Sequence, residues 1–224
     1  MVEIVHTLSR GVDKRKIFLD TQDYFRFIHD LFEFNDIENV NTTFYRFSQS
    51  NDIARRKIER KPRKLLVNIL AFCLMPNHYH LLLQPRMEDA IPKFMKKLNM
   101  GYAKYFNQKQ ERYGTLFEGR YKRVPIKHDA HFIHIPYYIH CNPLDLKYPE
   151  WRERKVSGYK NALAYLDTYR WSSHLDYLGK KNFPSVTQRE LLLDFFGGHG
   201  GYARCFQNWL KDIDLESIRD TVLE

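Results

Sequence analysis

Two β-prone runs joined by a two-residue turn constrain this chain most. Leu65 to Met75 reads LLVNILAFCLM, an apolar run with few breakers. Pro76-Asn77 marks a turn, and His78 to Gln84, HYHLLLQ, reads as the returning strand of a hairpin. The other elements are placed around this hairpin. The opening VEIVHTL alternates apolar and polar residues, as a strand does. Between Asp20 and Phe34, apolar residues recur at helical spacing, with Asp20 or Thr21 available as a cap. Residues 88–110 give the clearest helix, with Ile91, Phe94, Leu98, Tyr102 and Tyr105 on one stripe. A strand with a basic centre is expected over 116–127. A helix is expected over 129–141, with Pro136 demanding a kink or a start near it.

The resulting order is βαββαβ followed by a helix. This is the ferredoxin-like arrangement, an α+β fold with an antiparallel sheet. Helices are expected on one face, leaving the other free for a substrate. Residues 144–181 read as loop-rich and aromatic. Two helical patterns, 187–196 and 201–211, flank the turn GGHGG and form a C-terminal helical extension. The expected organisation is a domain over 1–178 and the extension over 179–224. A polar stretch, 35–64, reads as an insertion or loop and contains the basic run RRKIERKPRK.

Composition narrows the function classes. Three widely spaced cysteines with no CxxC pair argue against a disulfide framework or a cysteine zinc site, and they fit a reducing cytoplasm. The opening MVEIVHTLSRG lacks the layout of a signal peptide, and no apolar run reaches membrane-spanning length. A net charge of +9 attracts polyanions, nucleic acid foremost. No GxxxxGK[ST] or GxGxxG motif is present, so no nucleotide cofactor is expected.

Two short constellations bear on chemistry. On a strand, His78 and His80 share a face while Tyr79 points the other way. Two imidazoles so close are able to bind one cation, or they serve unrelated purposes. On a helix, Tyr138 and Asn142 are four residues apart and project together. That pair reads as a phenol beside an amide oxygen, or as a core aromatic next to a helix-ending Asn-Pro. An enzyme that cuts and joins DNA without a nucleotide must conserve bond energy, and a covalent phosphotyrosine does so.

Four blocks in order make the reading specific: HTLSRG at 6–11, LMPNHYHLLLQP at 74–85, GTLFEGRYKRVPI at 114–126 and YIHCNPLDL at 138–146. With YRWSSH at 169–174, they resemble the single-tyrosine HUH transposases, and among these the REP-associated tyrosine transposases of bacteria. The resemblance spans roughly residues 4–178. It implies a ferredoxin-like fold with His78 and His80 on a central strand, Tyr138 as nucleophile and Asn142 as third metal ligand. It implies magnesium or manganese, where ligand softness alone would suggest zinc. It also implies hairpin-bearing single-stranded DNA as substrate, a cytoplasmic, nucleoid-associated location, and a monomer or a homodimer. The expected activity is metal-dependent nicking and rejoining through a 5′-phosphotyrosine. The alternative is a catalytically silent module that binds hairpin DNA or RNA.

Other residues compete or assist. Tyr137 and Tyr121 are rival nucleophiles. Arg10, Arg120, Lys122 and Arg123 are candidate phosphate contacts, with Tyr121 a base-stacking candidate. His128, His131 and His134 recur every three residues and suggest either a second metal site or packing. Trp171 and Trp209 read as core.

Overall fold

The computed structural model describes residues 3–38, 62–127, 129–153, 156, 158–211 and 223, with backbone alone for 129–131. Most of the expected insertion, including basic residues 55–61, lies outside the described residues, as does His128.

The elements run β1 (Ile4–Arg10), α1 (Thr21–Glu33), β2 (Val67–Met75), β3 (His78–Pro85), α2 (Ala90–Lys109), β4 (Lys122–Ile126), α3 (Asp129–Cys141), α4 (Tyr159–Leu166), α5 (His174–Tyr177), α6 (Glu190–Phe196) and α7 (Gly198–Lys211). The strands form one sheet in the order β2-β3-β1-β4, and every neighbouring pair is antiparallel. This is the ferredoxin-like order that the βαββαβ pattern predicts.

Local chemistry explains the ends. Asp20 caps α1 by accepting a hydrogen bond from the Asp23 amide at 3.1 Å. Past the end of α1, Asn35 donates to the Val67 carbonyl at 2.8 Å and accepts from the Val67 amide at 3.0 Å. That double bond ties the exit of α1 to the start of β2. At the hairpin tip, the Pro76 and Asn77 carbonyls accept from Ile17 and Gly11 at 2.8 Å each, pinning the exit of β1. β4 is shorter than the predicted 116–127. Gly119, at φ 76°, bends the chain, and Phe117 instead bridges Gly11.

The sheet separates two cores. On one side, Val5, Ile69, Phe72, Leu74, Tyr79, Leu81 and Leu83 pack under α1 and α2. On the other, Leu70, Ala71, Cys73, Met75 and Leu82 pack under α3 and the C-terminal elements. The two helices of the βαββαβ core, α1 and α2, lie on one face as expected, but the expectation of an open opposite face is corrected. Along β2 the second face is also apolar, and α3 lies over it with α6 and α7 packed behind in the same core, while β3 presents His78 and His80 there. The segment expected as an extension thus completes this core, with Tyr202, Phe206 and Trp209 buried against Tyr137. α3 runs through Pro136 without ending there. Residues 144–181, expected as loop, contain α4 and α5.

Two predictions follow from this packing. A Cβ on Gly101 in α2 would meet the Phe34 ring at the end of α1. Gly101→Ala should therefore lower stability by about 1–3 kcal/mol in urea unfolding; an unchanged midpoint would contradict the close approach. His174 is fully buried, and burial outweighs the nearby Asp167 to push its pKa down to about 4. Below its unfolded value near 6.5, the unfolded chain binds a proton that the native state refuses. Stability should be full above pH 6.5 and fall by up to about 3 kcal/mol as pH drops towards 4. His174→Phe should remove that part of the acid loss and leave the part due to the other buried histidines, His78, His80 and His140.

Candidate active site

β3 lies between β1 and β2, and its alternation decides the site. His80 stands opposite Leu8 and Cys73, and His78 opposite Arg10 and Met75. Tyr79 points to the α1–α2 side, where it is fully buried against Phe27 and its hydroxyl bonds Asn99 of α2. The two imidazoles are thereby turned together onto the α3 side, with ring centroids 5.0 Å apart.

Each ring uses one nitrogen within the protein. His78 Nδ1 donates to Asn77 Oδ1 at 2.7 Å, and His80 Nδ1 lies 2.9 Å from Nε2 of His6 on β1. The His6 and His80 rings also stack, with centroids 5.2 Å apart. The other nitrogens, His78 Nε2 and His80 Nε2, are buried and have no hydrogen-bond partner among the described residues. An unpartnered buried polar atom costs about 1–3 kcal/mol, so two side by side point to a missing partner. Burial, aided by the charge of Arg10, holds the His78 pKa down to about 4. Burial, with His78 next, holds His80 well below the usual imidazole range. Both rings are neutral at pH 7, the form that presents a lone pair to a metal.

These features fit a divalent cation. Among the described residues, no three His, Cys, Asp or Glu side chains converge as a metal cage. The remaining ligands would therefore be oxygens, as in the open sites that catalytic metals use.

α3 brings the phenol to the same place. The Tyr138 ring centroid lies 6.0 Å from those of His80 and His6, edge-on to both. Tyr138 is fully buried. Its Oη accepts from Arg152 Nη1 at 3.3 Å. Asn142, in the 3-10 turn that follows α3, donates through Nδ2 to the Tyr138 carbonyl at 2.9 Å. Its Oδ1 accepts from Arg152 Nη2 at 3.2 Å. The four-residue spacing thus brings the two side chains together, and Arg152 touches both.

The remaining candidates divide. Arg10 stands opposite His78, and its Nε is buried without a hydrogen-bond partner among the described residues. Lys122 pairs with Leu8 and shares the histidine face, whereas Arg123 pairs with Thr7 and belongs to the opposite face. Arg120 is exposed and lies over the Tyr121 ring at 5.9 Å. Tyr121 packs against the α1–α2 core. Tyr137 points away from the imidazoles into Phe196, Tyr202, Phe206 and Trp209. His134 packs between Tyr137 and Trp209. His140 spends both ring nitrogens on Tyr202 and Ser173, as a structural histidine does. The side chain of His131 lies outside what is described.

Sequence reasoning passed over His6, Asp145, Trp151 and Arg152. His6 was detectable, because it sits two residues from Leu8 on a strand whose side chains alternate. The other three come from an irregular segment with no periodic signal.

An α+β sheet with paired imidazoles and a facing phenol defines a class that known families can be compared with. Residues 40–142 match the family model described as Transposase IS200 like. The match runs through the hairpin and α3 and ends at Asn142. Among solved structures, the chain is similar to one described as "Structure of the REP associates tyrosine transposase bound to a REP hairpin". Identity is 12%, the TM-score is 0.38, and the match covers 65% of this chain and 69% of that one. No curated protein matches.

His6→Phe would leave His80 Nδ1 without a partner in the core. It should cost about 1–3 kcal/mol in urea unfolding, with His6→Gln costing less because an amide can replace the ring nitrogen. Equal stability of His6→Phe and wild type would contradict the bond.

Proposed function

We propose that this protein is an IS200-like DNA transposase that nicks and rejoins single-stranded DNA through Tyr138. One observation supports this reading above the others. A phenol stands edge-on to His80, beside two buried imidazole nitrogens that have no hydrogen-bond partner among the described residues.

His78 Nε2, His80 Nε2 and Asn142 Oδ1 would hold Mg²⁺ or Mn²⁺. Bound there, the cation supplies charge stabilisation at the scissile phosphate. His6 fixes the His80 ring through Nδ1, and Asn77 does the same for His78, which leaves both Nε2 lone pairs available to a cation. Arg10 and Lys122 place positive charge on the same face, where they draw in the phosphate backbone. Tyr138 Oη attacks the phosphorus, and the bond from phosphorus to the 3′ oxygen breaks. The strand remains attached as a 5′-phosphotyrosine, and the phenolic proton ends on the released 3′ oxygen. Rejoining reverses the step with another 3′-hydroxyl. The bond energy stays in a phosphodiester throughout, so no nucleotide is consumed. A single strand carrying a hairpin is the proposed substrate.

The test is a denaturation-resistant adduct between the protein and a hairpin-bearing single strand in Mn²⁺. Wild type should form it and chelation should abolish it. Tyr138→Phe should form none while still binding the strand. Adduct formation by Tyr138→Phe, or hairpin binding by wild type with no adduct at all, would overturn the proposal. The latter result would favour a silent binding module.

A further inference from the structure

Arg152 has no role in the reading above, yet its guanidinium meets both Tyr138 and Asn142. Its Nε and Nη2 grip Asp145 Oδ1 and Oδ2 at 2.8 and 2.6 Å, a two-point ion pair. Trp151 supports both members: its ring lies 4.7 Å from Arg152 Cζ, and its Nε1 donates to Asp145 Oδ1 at 2.6 Å. The fork is therefore fixed in direction before it reaches α3. There Nη1 donates to the Tyr138 hydroxyl at 3.3 Å and Nη2 to Asn142 Oδ1 at 3.2 Å. Asp145 and Tyr138 together keep Arg152 more firmly charged than usual against the opposing effect of its burial.

This arrangement exceeds what packing a neutral phenol requires. A buried hydroxyl is satisfied by a carbonyl or an amide. A guanidinium aimed at the oxygen is suited to a charge that appears only during reaction. Tyr138 Oη gains that charge twice in the proposed cycle: as it gives up its proton to bond phosphorus, and as it leaves when the strand is rejoined. Tyr138 is fully buried, so a fixed cation beside its hydroxyl is screened less than it would be in open water.

We propose that Arg152 is a catalytic residue. Its guanidinium, aimed by Asp145, holds the Tyr138 oxygen and stabilises charge on it as the bond to phosphorus forms and breaks. In attack, the Oη–P bond forms, the P–O3′ bond breaks and the proton passes to the 3′ oxygen. In rejoining, each change is reversed. The inference rests on Tyr138 being the nucleophile.

Single-turnover adduct formation on a pre-bound hairpin strand in Mn²⁺ separates the two claims. Arg152→Gln should react about 10²–10³-fold more slowly, the usual effect of losing one donor to a developing oxyanion. Strand binding should be retained. Arg152→Lys should fall between the two, and it maintains the test if the Gln variant does not fold. Guanidinium ion added to Arg152→Ala should restore rate, which no loss of scaffolding would allow. Absence of adduct in wild type overturns the nucleophile assignment itself. A wild-type rate in Arg152→Gln, or a loss that neither lysine nor guanidinium ion relieves, overturns the role of Arg152 alone.

Discussion

The insertion of Tyr79 into the core beneath α1 and α2 is the contact on which the rest depends. Side chains on a strand alternate, so burying this one ring on the helix side obliges His78 and His80 to face the other way. A slip of β3 by one residue would exchange the faces. It would place two imidazoles among Phe27 and Leu98 and a tyrosine beside Arg10. The register is held from both edges, by β1 through six paired positions and by β2 through eight. The bond from Tyr79 to Asn99 then couples the strand to α2. The site is thus an outcome of core packing, placed on the most tightly framed strand of the sheet.

On the face so defined, the charges are arranged with economy. The imidazoles are kept neutral by burial, and each is oriented through Nδ1. Positive charge is supplied instead by Arg10 beside the rings and by Arg152 against the phenol. Arg152 is tied to Asp145, and a carboxylate so paired adds no repulsion towards an approaching phosphate. In the proposed reaction these groups act on different atoms: the imidazoles through a cation on the phosphate, and Arg152 on the attacking oxygen.

Much of this was legible in the sequence. The hairpin runs, the two stripes of α1 and α2 and the order of elements were enough for the ferredoxin-like sheet, because strand and helix periods differ and turns are short. Spacings of two and four pair His78 with His80 and Tyr138 with Asn142, but leave a packing reading open, and it is the resemblance of the four ordered blocks that singles these residues out. What was not legible depends on long-range packing. The cover over the second face joins α3 to α6 and α7, and nothing local in residues 187–211 says which sheet face they seek. Arg152 and Asp145 meet across two 3-10 turns that have no repeating pattern. The basic cluster of Arg120, Lys122 and Arg123 looked continuous in one dimension, but strand alternation divides Lys122 from Arg123.

The central claim is that the hydroxyl of residue 138 is the one that becomes bonded to DNA. It is tested most directly by digesting the trapped protein–DNA complex with trypsin and nuclease and locating the remaining nucleotide by peptide fragmentation. The account predicts a 5′-phosphate on Tyr138 and none on its neighbour Tyr137. A nucleotide on Tyr137, on Tyr121 or on any other residue would contradict it.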